Sequence, residues 1–229
     1  MLTLLHQTLC PHSRYVRLIL GEYGIAVHEV EERFWERREE FMLLNPAGEI
    51  PVLMAEGVPP VPGTAIIADY IEETRPPGDA AGLMPARPGE RIEVRRLASW
   101  FNDKFHAEVS GPLVTERVFK RHMTREQGGG PPDTDALRAA RHNIRYHLAY
   151  VGWLVRTRDW LCGEQLTLAD LAAAAHLSAV DYLGEVPWND DEAARNWYAR
   201  VKSRPSFRPI LADVVAGVPP AQSYANLDF

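Results

Sequence analysis

The sequence predicts an α/β domain followed by an all-α domain, and three observations carry that reading. An apolar run, a helix-spaced segment and a second apolar run open the chain; a stretch dense in proline and glycine interrupts it at residues 76–89; beyond that, every periodic segment has helical spacing. At 229 residues the chain is long enough for two modest cores. The expected division is a first domain at residues 1–75, a linker at 76–89, a second domain at 90–216 and a tail at 217–229.

Each element has a local reason. Leu2 to Leu5 reads as a buried strand, and Pro11 suits the first turn of a helix, where its missing N–H goes unpaired in any case. Val16, Ile19, Leu20 and Tyr23 recur at helical spacing, and Gly24 offers a stop. Ile25 to Val30 is a second strand. Phe34 to Leu44 is a short helix ended by the turn "NPAGE", and "IPVLM" is a strand whose Pro51 cannot donate to a central ladder. Thr64 caps the helix that carries Ile67, Tyr70 and Ile71.

After the linker, Leu97, Phe101, Phe105, Val109 and Leu113 form an unbroken i,i+4 stripe. "GGGPPD" at 128–133 breaks the chain before a helix from Ala136 to Arg158. Thr167 and Asp170 make a capping pair for a helix from Leu168 to Tyr182. Further helices follow at Asp191 to Lys202 and just before Gly217.

Composition narrows the function classes. Hydrophobic residues at 46% and charged ones at 24% are ordinary for a soluble chain, and a formal charge of -6 gives no general attraction to nucleic acid. Two cysteines suggest no disulfide scaffold, so a reducing cytosol is the expected home. "MLTLLH" lacks the features of a secretory leader, and "LADLAAAAHLSAV" contains Asp170 and His176 and is too short to span a bilayer. No stable membrane insertion is expected. His6 and Cys10 are four apart without two more clustered ligands, so no metal site is expected.

"CPHSRYVRLIL", "NPAGEIPVL" and "TAIIADYI" in the first domain and "LTLADLAAAAHL" in the second resemble, in that order, the glutathione S-transferase superfamily. The resemblance implies a thioredoxin-like N-terminal domain followed by a helical glutathione-transferase C-terminal domain. It also implies site roles: Cys10 as nucleophile or thiol stabiliser, Ser13 at the second active-site position, Ile50-Pro51 as a cis-proline junction beside the cysteinyl part of glutathione, and Thr64 on the γ-glutamyl carboxylate. Gly63 stands where the family has an acidic neighbour, so one partner for a ligand ammonium is missing. A helix N-terminus favours a thiolate at Cys10, and the competing reading is an inert small cysteine. Trp35, Trp100 and Phe105 line an apolar pocket, pack in the core or anchor a protein partner. The spacing makes Phe105 core, and the charge around Trp35 in "FWERREE" points to exposure.

"CPHSRYVRLIL", "WERREEFMLLNPAGEIPVL", "RLASWFNDKFHAEV", "ERVFKR" and the terminal "YANLDF" together resemble a narrower group within that superfamily, the FtsZ-binding division proteins of alphaproteobacteria. That likeness implies a homodimer that does not act through glutathione, binds FtsZ filaments at the division site and regulates their curvature and constriction. It makes Trp35, Glu116, Arg117, Lys120, Asp228 and Phe229 the partner-contact candidates. By spacing, Arg117 and Arg121 would project from one helix face as a basic strip, the alternative being a solvated helix end. Tyr224, Leu227 and Phe229 suit docking, on the protein itself or on a partner. Two functions compete: a non-catalytic FtsZ-binding adaptor without a cofactor, and a glutathione-dependent transferase or thiol reductase using Cys10. A different interaction protein on the same scaffold is the third.

Overall fold

The computed structural model describes residues 2–74 and 82–227. Four strands, β1 (Thr3–His6), β2 (His28–Glu31), β3 (Val52–Met54) and β4 (Val61–Pro62), form one mixed sheet in the order β2-β1-β3-β4. β1 pairs parallel with β2 and antiparallel with β3, which pairs antiparallel with β4. Helix α1 (Pro11–Glu22) makes the crossover between β1 and β2. Pro51 precedes β3 and is joined to Ile50 by a cis peptide, so its missing donor falls outside the ladder. The other sheet proline, Pro62, sits on the edge strand.

The expected helix from Phe34 to Leu44 is two pieces, a 3-10 turn at Phe34–Glu36 and α2 (Glu39–Leu44). Arg37 between them adopts a left-handed backbone, φ 47°, which breaks the helical hydrogen-bond ladder. α3 (Thr64–Thr74) follows β4, with Thr64 as its first residue.

The second half is helical: α4 (Pro88–Ser99), a π-helix at Trp100–Ser110, α5 (Gly111–Arg117), α6 (Thr134–Val155), α7 (Leu168–Tyr182), α8 (Glu192–Lys202) and the short α9 (Arg208–Leu211). α4 begins inside the expected linker, whose residues 76–81 lie outside the described ones. Among the described residues no helix is long and apolar enough to cross a membrane.

Leu97, Phe101, Phe105, Val109 and Leu113 are all fully buried. In a straight α-helix each step of four residues turns about 40° past a full circle, so five such residues would drift to opposite faces. The wider π-helical turn, with its i→i+5 bonding, holds them in one line. Gly111 lets the chain return to α geometry, because a Cβ there would lie 2.7 Å from the His106 carbonyl oxygen.

α7 is the central helix, buried along its whole length. The expected capping box at its start is formed: Thr167 N and Oγ1 both donate to Asp170 Oδ2, at 3.0 and 2.9 Å. Asp170 Oδ1 also accepts from Leu161 N and Trp197 Nε1, so the cap ties α7 to α8 and to the preceding loop.

The C-terminal segment docks on the protein itself as far as Tyr224, which is fully buried and donates its hydroxyl to the Ile210 carbonyl. Leu227 is exposed, and Asp228 and Phe229 lie outside the described residues.

Candidate functional site

Cys10 is the N-cap residue of α1, with extended backbone and Pro11 behind it at the first helical position. Its side chain is buried. Burial opposes ionisation of the thiol, but hydrogen bonding and charge from His12 and hydrogen bonds from Ser13 outweigh it and hold the thiol below its ordinary value. His12 moves the other way. Burial works against its charge, and the Cys10 partner together with the Asn102 carbonyl raises it. His12 Nε2 lies 2.8 Å from that carbonyl, which only accepts, so Nε2 carries the proton. Ser13 is fully buried and accepts from Gln7 N.

His12 belongs to a cluster that the sequence pattern did not reveal. Its ring centroid is 4.2 Å from that of His106 and 5.1 Å from that of His176. Ser110 Oγ lies 2.8 Å from His176 Nδ1, and Asn102 Oδ1 lies 3.2 Å from His176 Nε2, so both ring nitrogens of the fully buried His176 are satisfied in the neutral form. Burial, then the charge of His12, pushes His106 down to about 4. The π-helix supplies Asn102, His106 and Ser110 together. The only hint in the sequence was the histidine inside "CPHS", whose partners lie 94 and 164 residues further along the chain at His106 and His176.

A cavity of about 500 Å³ opens beside this cluster, lined by His12, His106, Ile50, Pro51, Gly63 and Thr64 among others. The sequence-assigned residues Ile50, Pro51 and Thr64 thus share one wall, and Cys10 and Ser13 do not line it. Gly63 has φ +81°, a conformation that strains any residue with a Cβ, and it leaves no carboxylate at this edge. Phe105 is core and Trp100 donates to His147, so neither lines this cavity. His6 faces Glu29 at 3.6 Å and not Cys10.

The outer candidates are arranged differently from expectation. Trp35 is half-buried rather than exposed, its ring 5.4 Å from Phe119 and 5.2 Å from Phe34, and its indole N–H is buried without an acceptor. It lines a cleft of about 220 Å³ with Thr8, Arg33, Phe119, His122 and Val215. Glu116 is buried, 2.6 Å from Lys120 Nζ and accepting from Asp133 N at 2.7 Å. Arg117 donates to the Leu183 carbonyl at 3.0 Å and pairs with Glu185.

Arg117 and Arg121 do not form a common strip. α5 ends at Arg117, Val118 leaves helical geometry, and Arg121 turns to the Gly217 carbonyl at 3.1 Å. These cations anchor separate parts of the chain.

The family models of the glutathione S-transferase N-terminal and C-terminal domains match residues 9–74 and 101–205. The chain belongs to the glutathione S-transferase superfamily. Within that superfamily it is 47% identical to FtsZ-localized protein A of Caulobacter vibrioides over 232 aligned positions, which cover 99% of this chain and 98% of the relative. It superposes on the crystal structure of a glutathione S-transferase from Sinorhizobium meliloti 1021 with a TM-score of 0.95 at 48% identity, covering the whole of both chains. FzlA from C. crescentus matches with a TM-score of 0.90 at 47% identity, over 100% of this chain and 99% of that one. A cis peptide at Ile50-Pro51 and a cysteine at the N-cap position of α1, without a side-chain cap hydrogen bond, are present in a chain that carries Gly63 before Thr64.

Proposed function

We propose that this protein is a non-catalytic adaptor that binds FtsZ filaments and regulates their curvature and constriction during division. The observation that carries the reading is the 47% identity to FtsZ-localized protein A over nearly the full length of both chains. One feature of the cavity agrees with it: the thiol of Cys10 is off the cavity wall, and Gly63 itself supplies no side chain to a ligand ammonium, which leaves Glu49 and Asp103 as the carboxylates that line the cavity. The adaptor is a homodimer in the cytoplasm, recruited to the division site by the filament. Two equivalent patches related by a two-fold axis then bridge filament subunits and bias their geometry.

The contact patch is centred on Trp35 and its Phe119 neighbour; the further contact candidates are Glu116, Arg117 and Lys120, where a partner would compete with the internal pairs Glu116–Lys120 and Arg117–Glu185, and Asp228 and Phe229 at the chain end. The Trp35 and Phe119 rings provide an aromatic anchor of the kind that dominates protein interfaces, in a cleft whose lining also carries Glu31, Arg33 and His122. Co-sedimentation with polymerised FtsZ tests this. Wild type pellets with the filaments, and Trp35→Ala, with its fold and dimer intact, loses at least about tenfold in affinity. Truncation after Tyr224 is the second variant, since Tyr224 is itself core. A wild-type protein that stays in the supernatant at micromolar concentration overturns the reading.

A glutathione-dependent transferase or thiol reductase is the second reading, favoured by the lowered Cys10 thiol and by Ile50, Pro51 and Thr64 on one cavity wall. Micromolar glutathione binding with turnover abolished by Cys10→Ser would establish it.

A further inference from the structure

A second cavity, of about 280 Å³, opens between α3 and α4, where the sheet-bearing half meets the helical one. Ala65 and Ala68 of α3 and Ala98 of α4 line it, and these short side chains leave between the helices a space that longer ones would fill. The buried residues Tyr15, Val94 and Leu168 make its inner end. At the outer edge Asp69 of α3 pairs with Arg95 of α4 at 3.4 Å, and the Ser99 hydroxyl donates to Asp103. This cavity shares Thr64, Asn102 and Asp103 with the one beside the cis-proline, but His12, His106, Ile50 and Pro51 do not line it.

Tyr15 sets the chemistry of the inner end. It is only 2% exposed, and its hydroxyl makes no hydrogen bond to a described residue. Nearly all buried hydroxyls in folded proteins are paired, because an unpaired one loses its water without replacement. The carboxylates whose charge acts on this phenol have other partners: Glu72 accepts from the Tyr23 hydroxyl, and Asp69 holds Arg95. Burial and then those two charges push the phenol well above its ordinary value, so it keeps its proton and has it to donate. A carboxylate ligand would be repelled by the same charges, and an ammonium would lose its water against an apolar wall. A neutral carbonyl oxygen meets neither cost and accepts the proton.

We propose that this cavity binds a small neutral molecule with an apolar, ring-sized body and one carbonyl oxygen, a ketone or an ester. The body lies among Ala65, Ala68 and Ala98, and the oxygen accepts from the Tyr15 hydroxyl. The size is sufficient, since an apolar cavity of about 150 Å³ already holds benzene. A molecule bound there touches α1 and α3 of one half and α4 and α7 of the other, so its occupancy ties the two halves together. The site stands apart from the filament contact proposed above, and neither depends on the other.

Calorimetric titration of the full chain with acetophenone tests the site, with saturation-transfer NMR on ethylbenzene, the same ring without the oxygen, as control. Wild type binds acetophenone with a Kd of about 1 mM or tighter. Tyr15→Phe weakens acetophenone at least about fivefold and leaves ethylbenzene as it was, the signature of one lost hydrogen bond. The melting temperature of Tyr15→Phe is unchanged or raised, because the hydroxyl has no internal partner to lose. Ala98→Leu and Ala65→Leu, at positions that are not fully buried, fill the space and abolish binding of both probes. Ile66→Ser, on the wall of the cis-proline cavity alone, changes nothing. A wild type that binds no acetophenone overturns the proposal, as does a Tyr15→Phe variant that binds it equally well or melts lower. Binding that survives both leucine variants and is lost in Ile66→Ser places the probe in the other cavity and also overturns it.

Discussion

Arg14 Nη2 stands 3.1 Å from the Asp213 carboxylate, and the arginine side chain has no solvent exposure. The same carboxylate takes Arg17 Nη1 at 2.8 Å and Nη2 at 2.9 Å, while Arg14 Nη1 reaches Tyr224 and Ser178. One buried network therefore joins the first helix of the thioredoxin-like half to α7 and to the C-terminal segment.

Asp213→Ala leaves two guanidinium groups without their shared counter-charge. Removing one partner of a buried pair costs about 3–5 kcal/mol, and that loss is expected in urea denaturation. A change below about 1 kcal/mol would mean that water or Glu29 takes over the charge.

Gly111→Ala reverses the usual sign of a helical glycine substitution. Alanine normally stabilises a helix by about 0.5–1 kcal/mol, but here its Cβ would sit 2.7 Å from the His106 carbonyl. Overpacking of this kind costs about 1–3 kcal/mol, so a lowered melting temperature is expected. An unchanged or raised one would show that the π-helix relaxes freely.

Acid weakens the fold through His106. Its folded value of about 4 lies below the ordinary histidine value, so the unfolded chain binds more protons between the two, and stability falls as pH drops from about 6.5 toward about 4. His176 and His147, also lowered by burial, act in the same direction. His12 acts oppositely: its raised value gives stability that is complete below about 6.5 and lost as pH rises through that raised value. Urea midpoints for wild type and His106→Asn should differ in slope below about pH 6.5. Parallel curves would remove His106 from the explanation.

The two thiols should separate by pH. Cys10 alkylates with a midpoint below that of an ordinary thiol at about 8.5, and His12→Asn moves the midpoint upward. Cys162, which burial and then Asp170 push up to about 12, stays silent at neutral pH. Peptide mapping after iodoacetamide treatment reads both. Faster labelling of Cys162 than of Cys10 at neutral pH would contradict the assignment.

Much of the fold was legible because it is written in short-range terms. The start of α1 at Pro11, the box at Thr167 and Asp170 and the apolar spacing of α7 each depend on residues a few positions apart. The cis peptide at Ile50-Pro51 came through family likeness. The break at Arg37 was not legible, since nothing in "FWERREE" marks a left-handed arginine. The five-residue stripe from Leu97, spaced by four, was visible, but its meaning as a π-helix needed the geometric drift of an α-helix to be worked out.

The site divides in the same way. Cys10, Ser13, Ile50, Pro51 and Thr64 were named from motifs, whereas the His12, His106 and His176 cluster was not, because its members come from three separate helices. Arg117 and Arg121 looked like a shared strip on a helical wheel. In the fold each spends its hydrogen bonds on a different backbone carbonyl.

By itself the sequence determined most of the segments that become strands and helices, the cap at Thr167, and that a sheet-bearing half precedes a helical one, since periodicity and capping act within a few residues; the break at Arg37 and the start of α3 at Thr64 rather than after it were not among them. Only the tertiary structure decided which charges are spent internally, that Cys10 sits off the cavity wall, and that a second cavity opens between α3 and α4. Those are consequences of packing between distant elements, and burial there is set by neighbours that no local pattern specifies.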